Sequence, residues 1–166
     1  MNVQAALKCQ YHAALAMLKQ AIEKCPDDLW TGGDHPIPFW RVAYHTLFFT
    51  HLYLQSDHES FRAWEHHREE CQFFDAVPWP PHRPPKPAEP YTKAQILEYW
   101  QFCDARVDAD VDRLDLDAPQ CGFPWYKLPK LDHQINNIRH IQHHAALLAG
   151  RLHRALGTGV EWIGPF

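Results

Sequence analysis

Residues 39–55, FWRVAYHTLFFTHLYLQ, are apolar or aromatic on nearly every side. A helix of that composition has no face for water and has to be enclosed by other elements. Pro38 sits just ahead of it, where the missing N–H costs a first helical turn nothing. The remaining segments therefore have to supply the walls around one central helix. The column above and below His45 in that helix is Arg41, Phe48, Phe49 and Leu52, so the His45 ring is expected to face packed neighbours rather than open water.

The walls read as three amphipathic helices. Leu7, Tyr11, Ala14, Leu15, Leu18 and Ile22 recur at three- and four-residue intervals and mark a first helix ending near Cys25, just before Pro26. Thr92 is placed as an N-cap for KAQILEYWQFCDARVDADVDRLDL, with a stripe at Ile96, Leu97, Trp100, Val107, Val111 and Leu114. The last helix spans about Leu131 to Leu156 and stops at Gly157, with Leu131, Ile138, Ile141, Ala145, Leu148, Ala149 and Leu152 as its core-facing arc.

Between these helices lie connections of other character. TGGDHPIP breaks the chain; residues 58–75, HESFRAWEHHREECQFFD, read as a short helix or an irregular excursion. VPWPPHRPPKPAEP is too rich in proline for a helix or a central strand and reads as a surface loop. APQCGFPWYKLPK is a further irregular connection. No repeat is visible and strands have almost no support. The expectation is all-α: a four-helix bundle with long irregular connections, forming one domain over residues 1–166.

Composition narrows the function classes. A chain of 166 residues that is 46% hydrophobic can build a core without disulfides. Its five cysteines, Cys9, Cys25, Cys71, Cys103 and Cys121, form no CxxC pair and leave one over, which predicts thiols in a reducing, cytoplasmic setting. The first twenty residues mix charge and polarity too closely for a signal peptide, and no apolar run approaches the roughly 20 residues that cross a bilayer. Net charge is -4 with no Lys/Arg patch, so neither nucleic acid nor a membrane is expected as a partner. The tryptophans are expected to anchor the core and the loops.

The thirteen histidines are the compositional oddity. His140 and His144 are four apart on the last helix, a spacing that stacks two imidazoles on one face and allows both to bind one ion. His45 from the central helix would complete a facial set. Three histidines leave a position open for water or substrate, whereas a structural zinc site is closed by four protein ligands. A bland reading stands beside this one: thirteen histidines produce i, i+4 pairs by chance, and a single buried histidine is commonly a hydrogen-bonded core residue. His66 and His67, beside Glu65, Glu69 and Glu70, read as a solvated face, and His143 points about 100° away from His144 and is a poor co-ligand. The zinc-protease pattern is absent, since Ile141 stands where its Glu is required, and no Glu-x-x-His of a di-iron bundle occurs. No phosphate loop, dinucleotide fingerprint or nucleophile elbow is present. Neutral imidazole is the ligand form, so metal affinity is expected to fall as pH drops through about 6 to 5.

FWRVAYHTLFFTHLYL, the EYW of the third helix, and NIRHIQHHAALLAGRL followed by EWIG together resemble the DinB/YfiT-like superfamily of four-helix proteins. The resemblance covers nearly the whole chain in order and spacing. Its most specific element is a helix-2 histidine followed late in the chain by His-x-x-His-His, which maps the family's metal ligands onto His45, His140 and His144. Relatives usually continue that motif with x-Gly-Gln, where this chain has Ala145, Ala146 and Leu147. The resemblance implies one divalent ion, commonly zinc or nickel, often in a homodimer. Relatives include bacillithiol-using thiol S-transferases and a mycothiol-dependent maleylpyruvate isomerase. The implied activity is a metal-dependent transferase of the thiol-adding kind acting on a small-molecule substrate with a low-molecular-weight thiol. A metal-dependent hydrolase using the same site, and a non-catalytic metal- or ligand-binding bundle, are the alternatives. An open pocket beside the ion would favour catalysis, and a site sealed by aromatic rings would favour binding or structure.

Overall fold

A computed structural model describes residues 2–164. The elements in order are α1 (Val3–Lys24), α2 (Asp27–Thr31), α3 (Phe39–Tyr53), α4 (Lys93–Arg113) and α5 (Lys130–Leu156). No strand occurs among the described residues. The four long helices form a closed ring: α1 packs on α4 and α5, and α3 packs on the same two from the opposite side. The all-α, four-helix expectation thus holds. The short α2 was not foreseen; Pro26 stands at its N-cap position, its carbonyl accepting from the Leu29 and Trp30 N–H groups, and Asp27 and Asp28 in the first turn complement the helix dipole.

Local chemistry accounts for the ends. The Asn2 side chain accepts the Ala5 N–H at the start of α1. Thr92 and Gln95 form a reciprocal capping box at the start of α4. Gly157 adopts φ 69° after α5, and its N–H donates to the His153 carbonyl, a left-handed cap that glycine adopts without a Cβ clash. The tail then returns over α1, where Gln20 exchanges two hydrogen bonds with the backbone of Glu161 (2.9 and 3.2 Å).

The core departs from a plain apolar stripe on α5. Ile141, Ala145, Leu148 and Leu152 are buried as expected, while Leu131, Ile138 and Ala149 are only half-buried. The arc has rotated to bury His133, Gln134 and Asn137 completely. The polar atoms of Gln134 and Asn137 tie three helices together: the Tyr11 hydroxyl of α1 donates to Gln134 Oε1 (2.7 Å) and accepts from Asn137 Nδ2 (3.0 Å), and Gln134 Nε2 donates to the Tyr53 carbonyl of α3 (2.9 Å). Burying such a network is favourable only in one axial register, so it sets the height of α5 against α3. On α4 the sequence stripe holds, with Tyr99 and Cys103 as further buried members.

Residues 58–75 form turns rather than a helix, and they are not a solvated face throughout. Trp64, Glu70, Cys71 and Gln72 are buried. His66 is exposed as expected, but His67 is half-buried, with its Nδ1 2.5 Å from the Tyr44 hydroxyl and its ring stacked on Tyr44. Of the tryptophans, Trp30, Trp40 and Trp64 are core residues, whereas Trp79, Trp125 and Trp162 are exposed.

Candidate metal centre

His45 lies at mid-length on α3, and His140 and His144 lie on the facing side of α5. Helix packing brings the three rings into one cluster, with centroids 4.6 to 5.1 Å apart. One nitrogen from each lies within 4.8 Å of the others, an arrangement that could hold a metal ion. His45 Nε2 and His140 Nε2 are 3.1 Å apart. Two imidazole nitrogens on one tetrahedral ion, each at about 2.0–2.1 Å, are separated by about 3.3 Å, so this pair is already near ligating distance.

The tautomer of His45 follows from its partner. Nδ1 is 2.6 Å from the Gln72 carbonyl oxygen, which can only accept, so Nδ1 carries the proton and Nε2 presents its lone pair to the cluster. A backbone carbonyl behind a ligating imidazole is the usual outer partner of such a ligand. Gln72 belongs to the irregular connection, and Glu70 pins that connection: its buried carboxylate accepts two hydrogen bonds from Arg83 (2.6 and 2.9 Å) and one from the Lys86 N–H (2.7 Å). Those contacts hold the Glu70 carboxyl down at about 2.

Electrostatically the cluster is made for neutral rings. Burial, reinforced by the neighbouring histidines, pushes His45, His140 and His144 each down to about 3. His140 Nδ1 and His144 Nδ1 are buried without a hydrogen-bond partner. Uncharged, each of the three rings can offer one nitrogen lone pair to a shared cation. An all-imidazole donor set suits a borderline transition-metal ion rather than calcium or magnesium.

The walls are uneven. Phe74 stacks on His45 at 4.1 Å between centroids and meets His144 edge-on, and Phe49 covers His45 and His140 from the α3 side. His140 alone also lines an open groove of about 580 Å³, together with Tyr53, Tyr126, Asn136, Arg139, Gln142, His143 and Ala146. A larger concavity of about 740 Å³ around Asp57, His58, Phe123 and Lys127 shares Tyr126 but none of the three histidines. His143 is exposed on the groove rather than in the cluster. Ala146 sits in the groove wall.

Three other histidine sites are set apart by their surroundings. Glu65, His66 and Glu98 converge at the surface, where all three are exposed and His66 lies 3.5 Å from Glu98. His51 and His133 are buried among aromatic rings: His51 bonds the Tyr99 hydroxyl at 3.2 Å, and His133 has no partner on either nitrogen. Sequence reading found the three clustered histidines and Phe49. It missed Gln72 and Phe74, which reach the site from an irregular connection, and the groove residues Tyr53, Tyr126 and Arg139.

Comparison of the chain with protein-family models, with curated proteins and with solved structures finds no match. What stands is a bundle of four long helices with a partly buried group of three histidines that could hold a metal ion.

Proposed function

We propose that His45, His140 and His144 bind one divalent ion, zinc or nickel, and that the chain is a metal-dependent enzyme of the thiol S-transferase type, related to the DinB/YfiT-like proteins it resembles. The observation that carries this reading is the asymmetry of the site: aromatic rings wall off His45, while His140 opens onto a groove large enough for a small molecule. An ion bound there supplies Lewis acidity, lowering the pKa of a thiol or water that reaches its open position.

The chain's own residues do the rest. Gln72 orients His45, Phe49 and Phe74 exclude water from the back of the cluster, and Tyr53 and Tyr126 offer an apolar surface to a substrate. No carboxylate lines the groove, so a general base for water there would have to be His143. The thiol reading is favoured over the hydrolase because a thiol ionises near neutral pH without such a base. The aromatic wall behind His45 is what a non-catalytic binding protein would also have. Homodimer assembly belongs to the same proposal, and sedimentation at micromolar concentration reads it.

Cobalt(II) substitution tests the function. Adding 2-mercaptoethanol to the cobalt-loaded protein is expected to produce a thiolate-to-metal charge-transfer band. Cobalt bound without any response to thiol would exclude the transferase and leave the binding protein.

A further inference from the structure

The groove beside His140 carries charge of one sign only. Its lining contains no Asp or Glu. Arg139, exposed on α5 at its rim, makes no hydrogen bond or ion pair with any described residue. Every other arginine has a partner: Arg83 binds Glu70, Arg106 and Arg113 reach Asp110, Arg41, Arg62, Arg68 and Arg151 donate to backbone carbonyls, and Arg154 lies 3.1 Å from His35 Nε2. An unmatched guanidinium beside a concave surface is a bidentate site for a planar anion.

The facing wall is aromatic. Tyr53 and Tyr126 stand edge to face with centroids 5.7 Å apart. The Tyr53 hydroxyl already accepts a hydrogen bond from Trp125 Nε1 at 3.2 Å and its ring is largely buried, so it meets the groove only by an edge beside the more exposed Tyr126. Burial raises the Tyr53 phenol well above its ordinary value, which keeps it uncharged beside any anion. Pockets that pair an apolar wall with one convergent charge select flat molecules with a single ionised group.

We propose that this groove recognises a small carboxylate with a flat hydrocarbon body: the carboxylate on Arg139, the body against Tyr53 and Tyr126, and the far end directed at His140. The role of that far end rests on the metal site proposed above. Recognition of the carboxylate rests on the groove alone.

The test uses 4-fluorobenzoate and its neutral isostere 4-fluorobenzamide, followed by fluorine NMR on zinc-loaded and zinc-free protein, with zinc content measured on the same samples. Benzoate is expected to bind at least about fivefold tighter than the amide, and Arg139→Gln to lose about fivefold or more of that affinity with an unchanged helical spectrum. Arg154→Gln, on the same helix outside the groove, is expected to bind as the wild type does. Benzoate and amide binding equally, no benzoate binding in either form of the protein, or binding that Arg139→Gln leaves intact because the ion alone captures the carboxylate, would each overturn the proposal. A wild type that takes up no zinc yet binds benzoate through Arg139 would refute the metal site and leave the groove standing.

Discussion

Gln72 turns His45 into a one-sided ligand. Its carbonyl oxygen lies 2.6 Å from His45 Nδ1, accepts a hydrogen bond from that N–H, and leaves Nε2 facing His140. A residue on an irregular connection thus decides which atom of a helical histidine is free for chemistry.

His45→Ala, His140→Ala and His144→Ala are each expected to abolish tight binding of zinc or nickel, read by elemental analysis after dialysis. His153→Ala, exposed on the same helix, is the control and should retain full occupancy. At a hundredfold excess of free ion over Kd, binding stabilises the folded state by about 2.7 kcal/mol. For a chain of this size chelation should then lower Tm by about 5–10 °C. Full occupancy in all three variants would remove the site.

Glu70→Gln is expected to weaken metal affinity by about twofold to tenfold, less than the 10- to 100-fold typical of a direct outer partner, because Glu70 acts through the segment that carries Gln72. Zinc competition with a chromophoric chelator reads the change. Glu69→Gln, an exposed carboxylate next to it, should have no effect. Equal behaviour of the two variants would show that the clamp does not reach His45.

Tyr11→Phe is expected to destabilise the fold by about 1–3 kcal/mol in urea titration, since it strips Gln134 Oε1 of its donor and Asn137 Nδ2 of an acceptor inside a dry core. The three histidines remain, so zinc stoichiometry should stay at one. A loss near zero would mean that water replaces the hydroxyl.

Stability of the zinc-free protein is expected to fall continuously with acidification below pH 6.5. Burial pushes His51 and His133 each down to about 4, whereas an unfolded histidine keeps its ordinary value of 6.5. Between those limits the unfolded chain binds protons that the folded one refuses, so the stabilisation is complete above 6.5 and is lost as pH drops towards 4. Urea midpoints at several pH values measure this, and His133→Phe, placed among Tyr53, Phe123 and Tyr126, should flatten the slope. The same burial holds the three clustered histidines near 3, so the folded protein should keep its ion at pH 5, below the window that unburied imidazoles predict. Metal release complete by pH 5.5 with the fold intact would contradict it.

Periodicity alone determined the four long helices, their order, the all-round burial of residues 39–53, and the caps at Thr92 and Gly157, because these depend on the chemistry of near neighbours in the chain. The i, i+4 spacing of His140 and His144 is likewise a property of one helix, and the place of His45 inside the apolar central helix made it the candidate third ligand. Only the tertiary structure decided that the three meet, since the height of α5 against α3 is set by Tyr11, Gln134 and Asn137 across three helices. It also decided that α5 buries a polar arc, that Glu70 and Gln72 lie inside rather than in water, and that the groove at His140 faces Arg139 and two tyrosines. An irregular connection carries no period from which its inward side can be read, and its direction is fixed by contacts such as Arg83 on Glu70 that form only once the helices have packed.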